Sequence, residues 1–222
     1  MRSAELRVEA NRIPQVGHFA QAERQALCDL FIEVGPDAPT LCSGWSTSDL
    51  AAHLVVRERR PDSLPGNVLS ALSGHSEKVR VSALHGHGWD ELVSLIRSGP
   101  PAPLRLVDEP FNTVEFFVHH EDVRRATSGW EPRKVEPEQD EALWGRLKVM
   151  GRLLTRKSPV GVAGESPGFG YMSLKGGAPL VVLRGSPGEL VLAAFGRGAH
   201  ARVVYEGDDL SVERLKHTSL GV

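Results

Sequence analysis

The sequence predicts an α+β protein, a helical region followed by a smaller region of strands and turns. Two observations carry this. Up to about Ser158, apolar residues recur at three- and four-residue steps between turn signals, the period of helices with one buried face. Beyond Pro159 the chain becomes rich in Gly, Pro and Val, and short alternating runs replace the longer ones, which is the pattern of strands. The expected boundaries are 1–158 for the helical domain and 159–222 for a small C-terminal α/β domain.

The first helix is expected from His18 to about Val34, where Leu27, Leu30, Phe31 and Val34 form one apolar stripe and Gly35-Pro36 stops it. The second begins at Ser46. Ser46 and Asp49 have the Ser-x-x-acid spacing of a capping box. This helix carries Leu50, His53, Leu54 and Arg57 on adjoining positions and ends before Pro61, so His53 lies beside core residues and points inward or towards a cleft. Leu64-Pro65-Gly66 reads as a turn. Further helices are expected over Glu77–Leu84 and Gly88–Arg97, the latter closed by Gly99-Pro100-Pro101. The next runs from about Asn112, just after Pro110, to Thr127, with Gly129 behind it. The last long helix covers Glu138–Lys157. It opens with acidic residues and closes with Arg152, Arg156 and Lys157, as the helix dipole favours.

Strand-like runs follow at Pro159–Ala163, Tyr171–Leu174, Pro179–Leu183 and Ala201–Tyr205. The run Glu189–Phe195 suits a strand or a short helix, since its Leu and Ala content fits both, and Gly196-Arg197-Gly198 breaks it.

Composition narrows the function classes. The formal net charge of -2 over 222 residues gives no reason to expect nucleic acid or an anionic membrane as partner. No apolar run approaches the roughly 18 residues of a membrane helix, and the N-terminus lacks the apolar core of a secretion signal. The two cysteines, Cys28 and Cys42, show no redox or thiolate-metal spacing and are expected as small core residues. A cytoplasmic protein follows as the expectation.

The most informative run is Glu115-Phe116-Phe117-Val118-His119-His120-Glu121-Asp122-Val123. Glu115 and His119 are four residues apart, which stacks a carboxylate and an imidazole on one helix face. With His53 from the second helix they make three donors that suit Zn²⁺ and also Ni²⁺, Mn²⁺ or Fe²⁺, and a three-donor site leaves a coordination position open for chemistry. Spacing alone leaves another reading in place: a solvated face with a partial ion pair, and a satisfied buried histidine at His53.

The motif Trp45-Ser46-Thr47-Ser48-Asp49-Leu50-Ala51-Ala52-His53-Leu54, followed by the Glu115 run, resembles the mycothiol-dependent maleylpyruvate isomerase family of the DinB-like metalloprotein group. The similarity covers roughly residues 15–158. It implies an up-and-down four-helix bundle with His53, Glu115 and His119 as metal ligands. The tail, with Gly188-Glu189-Leu190 and Phe195-Gly196-Arg197, is similar to the small α/β domain that many members append. The implied activity uses mycothiol: the thiolate adds to an activated double bond, the bond rotates, and elimination completes a cis–trans isomerisation. Transfer of the thiol to an electrophile shares the first step. The runs at 57–61 and 118–126 look like an actinobacterial branch whose substrate is unassigned.

Other residues take subsidiary roles. Arg57 lies four residues after His53 and is the candidate anchor for an anionic substrate, with Arg59 and Arg60 as a solvated helix end. Arg197, between two glycines, is a candidate for holding the anion of a cofactor at the domain junction. His120, rotated by about 100° from His119, suits a hydrogen bond between helices. Asp122 is placed to orient the His119 ring or to be a surface carboxylate. Trp45 staples the helix start or lines the cleft mouth. His85-Gly86-His87 has no fixed ligand geometry. No phosphate-binding glycine loop and no nucleophile elbow is present. The expected partners are a small-molecule thiol and an anionic substrate, with homodimerisation open. A non-catalytic metal- or ligand-binding regulatory module on the same bundle is the alternative.

Overall fold

The computed structural model describes residues 18–59 and 73–221. The turn expected at Leu64-Pro65-Gly66, and Arg60, lie outside these residues. The described chain is an α+β structure with eight α-helices and a four-stranded sheet. None of these helices is long and apolar enough to cross a membrane.

Helix α1 (Phe19–Val34) buries Ala20, Leu27, Cys28 and Phe31, and Gly35 leaves it at a φ of 80° that a side chain would resist. Two charged residues, Glu23 and Arg24, lie on the same buried face. The amides of Phe19 and Ala20, which have no partner within the helix, donate to the Glu109 carboxylate. Helix α2 (Thr47–Arg59) opens on the expected capping box: the Ser46 amide donates to Asp49 Oδ2 at 3.0 Å and the Asp49 amide to Ser46 Oγ at 3.4 Å. Helices α3 (Ser73–Gly86) and α4 (Trp89–Arg97) pack against α2, and α1 packs along α5.

Helix α5 spans Asp108–Arg124, starting and ending earlier than the sequence suggests. Pro110 falls inside its first turn, where a residue without an amide hydrogen breaks no helical bond. Helix α6 (Pro137–Leu154) stops short of Arg156 and Lys157.

The sheet has strand order β2-β1-β3-β4. Strand β1 (Gly161–Ser166) pairs antiparallel with β2 (Gly170–Lys175) and parallel with β3 (Leu180–Arg184), and β3 pairs antiparallel with β4 (Val204–Glu206). The Glu189 run is helix α7 (Pro187–Leu192), buried at every position, and a π turn over Ala193–Arg197 follows it. Helix α8 (Asp209–Lys216), capped by Asp208 accepting from the Ser211 amide, has no counterpart in the sequence expectations. The final described residues fold back. The Gly221 amide donates to Leu154 O at 3.0 Å, and a Cβ on Gly196 would lie 2.7 Å from Leu220 O.

Two clusters of buried residues form the core. One joins Leu27 and Phe31 of α1, Leu50 and Leu54 of α2, Leu92 and Ile96 of α4, and Phe116 of α5. The other joins Val114, Phe117 and Val118 of α5, Leu143 and Leu147 of α6, and Val162, Val181, Leu183 and Leu190 from beyond residue 158. Helix α5 therefore presents Phe116 to one cluster and Phe117 to the other. It carries Glu115 and His119 along the seam.

Candidate metal centre

Capping sets the start of α2, and burial of Leu50 and Leu54 turns His53 towards α5. There the side chains of His53, Glu115 and His119 converge. His53 Nε2 lies 3.4 Å from Glu115 Oε1, and His119 Nε2 lies 3.2 Å from the same oxygen. The donor atoms of the three residues all lie within 4.8 Å of one another. The two imidazoles meet edge to face with centroids 5.4 Å apart. Trp45, at 5.2 Å from the His53 ring, walls the other side, beneath the Arg80 guanidinium.

Arg57 lies in the same cluster. Its Nε is 2.9 Å from Glu115 Oε1, and its Nη1 donates to Asn112 Oδ1. One carboxylate oxygen thus faces two imidazoles and a guanidinium. Burial alone would raise the Glu115 pKa, but Arg57, His119 and His53 hold it well below the usual carboxylate range.

The far side of His119 explains how its ring is held. Asp122, three residues on and completely buried, faces His119 Nδ1 at 2.9 Å. Arg197 faces Asp122 in turn, with Nε 2.8 Å from Oδ1 and Nη2 2.7 Å from Oδ2. Burial works against a charged His119, yet its contacts with Asp122, Cys42 and Glu115 hold its pKa well above the ordinary histidine value. For His53 burial prevails and the pKa falls. Asp122 is held low despite burial by His119 and Arg197.

These contacts test whether the residues fit a cation. When Nδ1 of His119 donates to Asp122, a neutral ring turns a bare lone pair at Nε2 towards Glu115 Oε1. Arg57, 2.9 Å away, already brings positive charge to that oxygen, but a lone pair at Nε2 facing it at 3.2 Å still lacks a positive partner of its own. A second proton on the ring or a divalent cation between the donors supplies it. The set of two imidazoles and one carboxylate fits Zn²⁺ and related ions.

The structure thus brings together His53, Glu115, His119 and Arg57. It places Arg197 against the Asp122 carboxylate that contacts His119. Asp122 is not a surface carboxylate, and His120 joins helices through Glu23 Oε2 at 2.8 Å. Cys42 has contacts that the sequence reading did not foresee. Half-buried, it packs against the helical core cluster, and its Sγ lies 3.2 Å from Asp122 Oδ2, 3.9 Å from His119 Nδ1 and 3.5 Å from Arg197 Nη2. Cys42, His119 and Asp122 form a second group of potential donors, and Arg197 already supplies positive charge to it. No local pattern around Cys42 gives this away. The loop that carries it is drawn to α5 by the Leu41 amide donating to Asp122 O at 3.0 Å.

No protein-family model matches the chain, and comparison with curated proteins gives no match. Among solved structures, the chain is similar to a mycothiol-dependent maleylpyruvate isomerase, with a TM-score of 0.57 and 17% identity over 86% of this chain and 91% of that one. A histidine-to-alanine mutant of that isomerase matches with a TM-score of 0.57 at 16% identity over the same shares. At this identity the likeness speaks to architecture: the chain has the fold of the mycothiol-dependent maleylpyruvate isomerase.

Proposed function

We propose that the protein is a metal-dependent thiol enzyme of the mycothiol-dependent maleylpyruvate isomerase family, acting on a small anionic electrophile. The reading divides the chain into a DinB-like four-helix bundle over 1–158 and an appended α/β domain over 159–222. One observation carries it: His53, Glu115 and His119, from two helices, bring three donor atoms within 4.8 Å of one another. The fold likeness to an enzyme of that title supports it.

In this reading His53, Glu115 and His119 hold the ion, which we take to be Zn²⁺. A bound cation of this kind supplies a lowered pKa for a thiol or water, so that an anion forms at neutral pH. A thiol of mycothiol type held there would supply the nucleophile for attack on an activated double bond, for isomerisation or S-transfer.

The chain's own residues do the rest. Asp122 accepts from Nδ1 of His119, fixing the ring so that Nε2 faces the centre, and Arg197 keeps Asp122 ionised and in place. Arg57 anchors the substrate's carboxylate beside the centre, with Asn112 steadying the guanidinium. Trp45 closes the wall behind His53 and excludes water from that side.

The test is metal content per chain, measured by elemental analysis of the purified protein and of His119→Ala. The expected result is near-stoichiometric metal in the parent and loss of most of it in the variant. Full metal retention by His119→Ala excludes the arrangement. Metal binding with no thiol-dependent turnover of maleylpyruvate or a panel of electrophiles supports the regulatory module instead.

A further inference from the structure

Helix α6 buries one side and turns the other to solvent. Successive residues step about 100° around the axis. Leu143, Leu147 and Leu154 therefore fall on one side, each at most 1% exposed, together with Trp144 and Gly151. Lys148, Val149, Arg152 and Leu153 share the opposite arc, and all four are exposed. Arg146 lies half-buried at its border, and Arg156 and Lys157, both exposed, continue it beyond the end of the helix. This face shares no residue with the metal centre. We propose that it docks on an anionic lipid surface, where its basic side chains meet lipid phosphates and Val149 and Leu153 reach the edge of the acyl layer.

Charge is the first argument. Residues 142–164 contain five basic and no acidic residues, in a chain whose formal net charge is -2. The near-neutral total thus conceals a local excess, because the acids lie elsewhere in the sequence. None of the five makes an ion pair among the described residues, and Lys148 rests over the Trp144 ring at 5.7 Å. The helix dipole favours basic residues near the end of α6, but it does not account for Arg146 and Lys148 or for the exposed aliphatic side chains among them.

Shape and chemistry choose the partner. From Arg146 to Arg152 the charges spread over about 9 Å of helix axis, and two more follow, too far apart for one small anion. Val149 is 77% exposed and Leu153 39%. Aliphatic groups gain nothing from the phosphates of a nucleic acid, whereas at a bilayer they leave water beside the charges. Two such side chains are too small a core for a stable protein interface, which buries about 800 Å² on each partner. A lipid surface asks for no such core, since each basic residue near an anionic leaflet raises the partition coefficient about fivefold.

The experiment is cosedimentation of the full chain with vesicles of equimolar phosphatidylglycerol and phosphatidylcholine, against vesicles of phosphatidylcholine alone, at low salt. Binding to the anionic vesicles only is expected. It should weaken as salt is raised to about 0.5 M, where the Debye length falls to about 4 Å. The double variant Arg152→Gln with Arg156→Gln should lower the partition coefficient about 25-fold. Val149→Ser should lower it about threefold to tenfold. All three side chains are exposed, and thermal unfolding checks that the variants are folded. Absence of binding to the anionic vesicles, equal binding to both vesicle types, or binding indifferent to the arginine pair overturns the proposal. A vesicle affinity that Val149→Ser leaves unchanged overturns it too and reassigns the face to polyanions in general, which binding of duplex DNA at the same salt then reveals. Because vesicle binding is read without metal or turnover, its failure and that of the metal-centre reading are separable.

Discussion

Arg197 and Asp122, 75 residues apart in sequence, face each other through two parallel contacts, Nε to Oδ1 at 2.8 Å and Nη2 to Oδ2 at 2.7 Å. Asp122 is completely buried and Arg197 largely so. Replacing Arg197 by Met leaves Asp122 with His119 as its main cationic neighbour. The expected loss is about 2–3 kcal/mol of stability, below the usual range for a broken buried pair because the arginine keeps some solvent contact. Denaturant unfolding measures it, and the double variant Arg197→Met with Asp122→Asn should recover part of the loss. Equal stability of Arg197→Met and the parent protein would show that the pair is not structurally coupled.

Metal affinity should follow the same chain of contacts. Asp122→Asn keeps the shape of the side chain but offers an amide to the His119 ring. A tenfold to hundredfold weaker Zn²⁺ affinity is the usual consequence of removing such a partner. Competition with a chromophoric chelator reads this directly, and unchanged affinity would detach Asp122 from the centre.

Glu23 makes acid sensitivity predictable. Its Oε2 faces His120 Nδ1 at 2.8 Å, and its Oε1 accepts from Arg133 at 2.6 Å and Gln139 at 2.5 Å. Burial pushes its pKa up, but these partners outweigh burial and leave it lowered from 4.5. A depressed carboxyl pKa contributes stability above the unfolded value, and that contribution disappears as pH falls through the folded one. Glu23→Gln should therefore cost about 1–3 kcal/mol at neutral pH, since an amide nitrogen must face a donor. The gap between variant and parent should narrow below pH 4.5. A gap that stays constant from pH 7 to pH 3 would contradict the assignment.

The two thiols should separate cleanly. Cys28 is fully buried in α1, and burial pushes its thiol up to about 12. Cys42 is half-buried beside Arg197. Alkylation of the native protein followed by mass spectrometry should label Cys42 and spare Cys28, which reacts only after unfolding. Labelling of Cys28 at a comparable native rate would mean that α1 opens readily.

Gly188 supplies a packing test. A Cβ built there would lie 2.8 Å from Phe117 Cζ, across the contact between α7 and α5. Gly188→Ala should destabilise by about 1–3 kcal/mol, the range for overpacking a filled core. An unchanged melting temperature would mean that Phe117 moves aside freely.

Features that depend on local rules were legible in the sequence. The limits of α1 followed from the stripe ending at Val34 and from Gly35, and the start of α2 from Ser46 and Asp49. The Glu115–His119 step is a one-turn neighbour relation that any helix enforces. Features that depend on distant contacts were not legible. The helical state of the Glu189 run follows from the burial of every residue of α7. Cys42 enters the centre because its loop bonds back to Asp122, and Arg197 because a π turn aims it there. Neither contact leaves a periodic trace in sequence.

The folding back of residues 220–221 links the tail to the centre. Leu220 O packs against the bend at Gly196, one residue before Arg197, while Gly221 is fastened to the end of α6. The tail thus acts as a brace behind the arm that steadies Asp122. Removing residues 220–222, though remote in sequence from His119, should loosen its imidazole, and under the proposed metal-binding reading the damage would surface as weakened ion retention before any loss of helix content.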